Sequence, residues 1–386
     1  MATALASTPE RAVGVGERPS AGPRIAALDG VRGTAVMMVV VWHYFYLALP
    51  EPATTLGGVG RSAALAWSGV DLFFVLSGFL IGGILLDHAD SARYFQTFYI
   101  RRACRILPPY AILLGAYVFA RALAARGLLA GSGRLLAGSV PTWAYLAFVQ
   151  NAFMAVIDGF GPAWLGITWS LAVEEQFYLA LPVLVRGIRR ALIAKIALAA
   201  IVLAPLMRAT IGLLGSSTGA FVLLPCRADA LMAGVLLACI VGDPLSMDVL
   251  RAHLNYVRAA ALVLLAGAVV LTMRPSLIGT FRYSWLAALY ATVIALCVVS
   301  EKGVVARVFA TPVLGRLGAL SYAIYLFHEP VNGVLHGAIA GQSPHLVDGL
   351  GVAVTMVAVA VTVATATLSY LVVERPLIAL GHTARY

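Results

Sequence analysis

Leu28-Asp29-Gly30-Val31-Arg32-Gly33-Thr34-Ala35-Val36-Met37-Met38-Val39-Val40-Val41-Trp42-His43 sets three ionisable groups into an otherwise apolar stretch. With its flanks from Ile25 to Leu49 it is long enough to cross a hydrocarbon core of about 30 Å at about 1.5 Å per residue. Arg32 and His43 are eleven residues apart. That is three helical turns plus about 20°, so both project from one face. Either alone would suit a snorkelling arginine or a histidine satisfied by a carbonyl. A charge at membrane depth costs on the order of 2.5 kcal/mol or more unless it faces the bundle interior or a wet cavity, so two on one face mark an inward wall. Asp29 stands one turn before Arg32, at the i,i+3 spacing that lets a carboxylate hold a guanidinium.

The rest of the chain has the same solvent. Of 386 residues 61% are hydrophobic and 11% charged, with a mean hydropathy of +0.92; a soluble domain does not look like this. The fold class expected is all-α, a polytopic membrane helical bundle. The net charge of +10 would be compatible with nucleic acid, but the basic residues fall in short clusters between apolar runs, as in cytoplasmic anchoring loops. Nucleic acid is excluded as a partner; the lipid bilayer is the expected one. Cys104, Cys226, Cys239 and Cys297 lie singly in or beside apolar segments, so neither a disulfide nor a metal site is expected.

Residues 1–24 are rich in Ala, Gly, Pro, Ser and Arg and lack an apolar signal core, which predicts a disordered, uncleaved tail. Eleven apolar runs follow. If all crossed, Arg186, Arg189, Arg190 and Lys195 would lie outside, against the positive-inside rule. Making 140–157 re-entrant or interfacial returns them inside; Gln150 and Asn151 at its middle suit irregular backbone lining a cavity. The expectation is about ten transmembrane helices plus that segment over 25–376, a short tail at 377–386, and both termini cytoplasmic in a multi-pass protein of the inner or plasma membrane.

Several further stretches put polar groups into apolar surroundings. Asp71 and Ser77 lie in DLFFVLSGFLI, where a Ser-Gly pair alone would suit close helix packing. Arg102 and Arg105 in YIRRACRILPPY are one helical turn apart, fit either to anchor the membrane edge or to clamp a pyrophosphate. In TWSLAVEEQFYL, Ser170, Glu174 and Tyr178 stack on one face while Glu175 is rotated away by about 100°. Arg227 in CRADALMAG is open to a structural ion pair with Asp229. Ser321, Tyr325 and His328 in LSYAIYLFHEP form a stripe at i, i+4 and i+7. Glu374-Arg375-Pro376 closes the last span.

These strings, in this order, resemble the acyltransferase 3 family of polytopic membrane acyltransferases. LDGVRGTAVMMVVVWH and WSLAVEEQFYL are the most specific, and the likeness covers nearly all of 25–376. It implies transfer of an acyl group, by default acetyl, from acyl-CoA to a hydroxyl of a sugar, a cell-surface polysaccharide, peptidoglycan or a secondary metabolite. It implies that His43 acts in catalysis, that Arg102 and Arg105, with Arg32, serve the CoA side, and that Asp29, Asp71, Ser77, Arg227, Tyr325 and His328 are auxiliary. Many relatives carry an extra soluble domain; the expectation is that this chain acts alone or hands on to a partner. An imidazole of ordinary pKa near 6.5 suits deprotonation of a hydroxyl at pH 7, so direct attack with His43 as general base is expected, Glu174 orienting it; an acylated histidine is the alternative. From a different class, a transporter or flippase of an amphiphilic molecule would share the composition. No internal repeat supports it.

Overall fold

The computed structural model describes residues 25–49, 64–128, 133–274 and 279–386, which are helical with no strand among them. The expected tail at 1–24 lies outside the described residues. Ten long helices are present among those described. They are α1 (Ala26–Val40), α2 (Gly69–Asp87), α3 (Tyr94–Ala125), α4 (Trp169–Gly187), α5 (Arg190–Leu213), α6 (Leu224–Val241), α7 (Leu254–Met273), α8 (Phe281–Val299), α9 (Pro312–Leu335) and α10 (Gly349–Ser369). Seven are long and apolar enough to cross a bilayer by length and composition. The other three, α1, α4 and α9, carry Arg32, Glu174, His328 and Glu329, whose polarity lowers their hydropathy. The protein is thus an all-α polytopic membrane bundle. Its outer surface is apolar where lipid would lie, with Leu198 and Leu206 on α5, Leu262 and Val263 on α7, and Met356 and Leu368 on α10 all exposed.

Residues 140–157 do not form one helix. Two short pieces, Thr142–Leu146 and Gln150–Ile157, flank a break where Phe148 takes the left-handed conformation at φ 54°. Neither piece approaches the length of a span. Gln150 and Asn151 are buried, but they bond backbone and a neighbouring amide rather than a cavity. Gln150 donates to Thr168 O (2.8 Å) and Asn151 to Val222 O (3.2 Å), while Gln176 donates to Phe148 O (2.8 Å). The Phe148 carbonyl at the break is thereby tied to Gln176 of α4.

Two helix pairs approach closely, and glycine makes both possible. A Cβ on Gly33 would lie 2.1 Å from Leu314 O, and one on Gly318 would lie 2.0 Å from Asp29 O, so α1 and α9 touch backbone to backbone. Gly78 and Gly234 do the same for α2 and α6, at 1.9 Å from Leu231 O and 2.1 Å from Val75 O. Small residues permit this where no hydrophobic effect drives helices together in lipid. The α2–α6 pair is locked by a buried ion pair, Arg227 to Asp71 at 2.5 Å, and a second, Arg208 to Asp229 at 2.8 Å, holds α5 to α6, every side chain 1% exposed. Arg227 therefore pairs across to α2 and not with Asp229. Two residues along a helix is a rotation of about 200°, so the two side chains face different neighbours. The Arg227 guanidinium also lies over the rings of Phe74, Trp169, Phe221 and Tyr283, 4.6–5.7 Å from their centres.

Candidate active site

The α1–α9 crossing brings the polar stripe of α9 against the face of α1 that holds Arg32 and His43. Past Val40 the helix widens into a π-helical turn, Val41–Tyr46, and His43 sits in it. Such turns are frequent at functional sites because they re-aim one side chain. Arg32 and His43 end up in two separate cavities stacked along α1.

The first cavity, about 280 Å³, is lined by Arg32, Arg102, Arg105, Glu174, Ser77, Ser170, Tyr178, Ser321, Tyr322 and Tyr325 among others. Asp29 holds Arg32 at 3.4 Å, and Ser77 Oγ lies 2.6 Å from the Tyr178 hydroxyl. Arg102 and Arg105 have no carboxylate within ion-pair distance among the described residues. Three guanidiniums against the one carboxylate of Glu174 make this chamber net positive, suited to phosphate. Ser170, Glu174 and Tyr178 all face it, while Glu175 does not line it.

The second cavity is larger, about 610 Å³, and aromatic. Trp42, Trp67, Trp169, Phe160, Phe221 and Tyr283 wall it, with His43, Glu329, Thr272 and Arg282 among its polar side chains. His43 Nδ1 lies 2.8 Å from Val39 O. A carbonyl only accepts, so Nδ1 carries the proton, and in the neutral ring Nε2 presents a lone pair to the cavity. Glu329 Oε1 stands 3.9 Å from that nitrogen. Behind them His328 is fully buried, its ring 4.9 Å from that of His43 and its Nδ1 2.7 Å from Tyr325 O. Ligand atoms of His43, His328 and Glu329 lie within 4.8 Å of one another, a donor set able to hold a divalent ion.

Val70 and Tyr325 line both cavities. They form the partition where the chambers meet. The Tyr325 hydroxyl is pinned there, donating to Ile167 O (2.9 Å) and lying 2.5 Å from Ser170 Oγ. The stripe Ser321, Tyr325, His328 thus runs from the first chamber, through the partition, to the buried position behind His43.

Two expectations are corrected. Glu174 is not brought to His43: it lines the arginine chamber, because α4 starts beside the aromatic cavity at Trp169 and descends more than a turn before reaching it. Asp71 and Arg227 line neither cavity; they are an ion pair behind the wall. The carboxylate that does face His43 is Glu329, which sequence reasoning passed over. Its only signal was its place beside His328, off the polar stripe by about 100°.

Against known proteins, the family model described as "Acyltransferase domain" matches residues 25–374. A protein of Staphylococcus aureus strain COL named "Putative O-acetyltransferase" is 27% identical over 91% of this chain and 57% of its own length. One of Bacillus subtilis strain 168 named "Putative peptidoglycan O-acetyltransferase" is 30% identical over 92% of this chain and 55% of its own. The "Peptidoglycan O-acetyltransferase" of Listeria monocytogenes is 26% identical over 92% and 56%. The chain thus spans little more than half the length of these relatives. No solved structure matches.

Proposed function

Because the chain belongs to the acyltransferase domain family, we propose that it is a membrane O-acetyltransferase that moves an acetyl group from acetyl-CoA to a hydroxyl acceptor, with the two substrates in separate chambers. The observation that carries this reading is the partition: a phosphate-suited chamber and a histidine-bearing aromatic chamber share the walls Val70 and Tyr325. The donor enters the arginine chamber, its phosphates held by Arg102 and Arg105 with Arg32, and its thioester reaches toward Tyr325. The acceptor occupies the aromatic chamber, its hydroxyl on the Nε2 lone pair of His43. On this reading the arginine chamber and both termini lie at the cytoplasmic side, which the positive-inside pattern supports.

Chemistry then follows from the tautomer. His43 Nε2 takes the hydroxyl proton as the oxygen attacks the thioester carbon; the C–O bond forms, the C–S bond breaks, and the imidazolium returns the proton to the CoA sulfur. The products are the ester and free CoA. Glu174 belongs in this scheme with the donor, where it spaces the three guanidiniums. The names of two of the relatives make peptidoglycan one candidate acceptor. The transporter reading is not favoured: polar groups converge from non-equivalent helices.

The test is transfer of label from radiolabelled acetyl-CoA by membranes carrying the full chain. Wild type should move label and His43→Ala should lose at least about 10²-fold of the turnover, the usual range for a general base. His43→Gln, which can hydrogen-bond but not take a proton, should fare no better. Near-normal turnover in the glutamine variant would move the base elsewhere.

A further inference from the structure

Around His43 hydrogen-bond acceptors gather, and no side-chain donor of the chamber bonds them among the described residues. The Nδ1 proton of each histidine is committed to a backbone carbonyl, Val39 O for His43 and Tyr325 O for His328. Both Nε2 atoms are therefore lone pairs, and they converge with the Glu329 carboxylate inside 4.8 Å. His328 Nε2 is fully buried with no partner among the described residues. Lone pairs crowded together without a proton repel. A site built this way is complementary to something that brings a proton or a positive charge, which is what a hydroxyl and then an imidazolium supply.

Resting on the acetyltransferase reading above, we infer that Glu329 is the positioning carboxylate of this reaction: acting through His43, it stabilises the imidazolium that forms as the acceptor hydroxyl loses its proton. In a Ser-His-Asp arrangement the carboxylate sits on Nδ1. Here that position is taken by Val39 O, an uncharged acceptor which orients the ring but adds no full negative charge. Glu329 supplies the charge from the Nε2 side. Its 3.9 Å separation from Nε2 is beyond a hydrogen bond, so the Nε2 lone pair stays open to the acceptor hydroxyl while the charge remains close to the imidazolium that forms. His328, one residue earlier on α9, closes the back of the cluster. The helix that carries Glu329 is the one held against α1 by Gly33 and Gly318, so its distance to His43 is set by backbone contact and not by a loop.

The experiment uses the purified full chain in detergent, with acetyl-CoA as donor and glycerol or water as acceptor, and reads release of the CoA thiol. Wild type must turn over and His43→Ala must not; if that fails, the acetyltransferase reading falls before the role of Glu329 is at issue. With that in hand, Glu329→Gln should lower kcat on the order of 10²-fold while KM for acetyl-CoA stays within about twofold, because the lost charge acts in the transition state and far from the donor phosphates. Glu329→Asp, which keeps the charge one methylene back, should recover a measurable part of that loss. Formate added to Glu329→Gly should do the same. An unchanged kcat in Glu329→Gln overturns the assignment. So does a loss that neither aspartate nor formate repairs, or one divalent metal ion per chain that Glu329→Gln abolishes, since Glu329 would then be a metal ligand.

Discussion

Replacing Gly33 with alanine adds one methyl group at the point where α1 and α9 touch. That Cβ would lie 2.1 Å from Leu314 O and 3.0 Å from Gly318 N, where ordinary contact begins near 3.4 Å. Both atoms are backbone, so no side chain can swing away, and the helices must part by about 1.3 Å. Overpacking of this kind costs about 1–3 kcal/mol. The larger effect is on chemistry. Arg32 and His43 ride on α1; Tyr325, His328 and Glu329 ride on α9. A misplacement of about 1 Å between groups that must act together is worth about 10² in rate. Gly33→Ala should therefore reach the membrane and run as a single species on gel filtration in detergent, with acetyl-CoA turnover about 10²-fold down. Gly315→Ala, less than one turn from Gly318 on α9 but facing open space, should be silent. If Gly33→Ala matched wild type in both turnover and melting temperature, the backbone contact that seats the site would be wrong.

Arg102→Ala or Arg105→Ala should raise KM for acetyl-CoA more than it lowers kcat, because a phosphate far from the thioester contributes uniform binding; a normal KM would return them to the role of membrane anchors. Reporter fusions at the two ends of the chain should report the same side of the membrane, as ten crossings require, and opposite sides would mean that 140–157 crosses. Asp158, in the loop after the broken segment, accepts the Thr218 N–H at 2.7 Å, and this bond chiefly holds its carboxyl below the usual range. A depressed folded-state value means the contribution to stability is complete above the ordinary carboxylate pKa of about 3.9 and lost as pH falls through the lowered one. Melting temperatures of wild type and Asp158→Asn should thus differ at pH 7 and converge as the pH drops below about 4; a gap that persists in acid would rule out the carboxylate as its source.

Helix identity and helix face were legible in the sequence; depth and partnership were not. Periodicity put Ser170, Glu174 and Tyr178 on one face, and all three line one chamber. It put Ser321, Tyr325 and His328 on one stripe, of which Ser321 and Tyr325 line a chamber while His328 is buried behind His43. The loop charges rightly singled out 140–157 as unlike its neighbours, since a failed crossing leaves its trace in the sign of every later loop. What a single sequence does not encode locally is the crossing angle between helices distant in the chain. Glu174 and Glu329 are both glutamates near a helix face, yet the α1–α9 contact turns Glu329 toward His43 and leaves Glu174 with the arginines. Arg227 finds Asp71, 156 positions earlier, and bypasses Asp229, two residues on. Rotation about a helix axis is read from spacing, but the neighbour a side chain meets there is decided by packing.

The two buried ion pairs constrain how the chain is made. On its own α6 would bring both Arg227 and Asp229 into lipid, each at a cost of about 2.5–3.5 kcal/mol by insertion scales. Their counter-charges, Asp71 on α2 and Arg208 on α5, are both synthesised earlier. When α6 leaves the ribosome a waiting charge of each sign is already in the membrane to receive it, and four costly groups enter as two neutral couples. Removing Asp71 or Arg208 would leave one charge of the incoming helix without its partner at the moment of insertion, so such variants would show their damage first as a shortfall of full-length protein in the membrane.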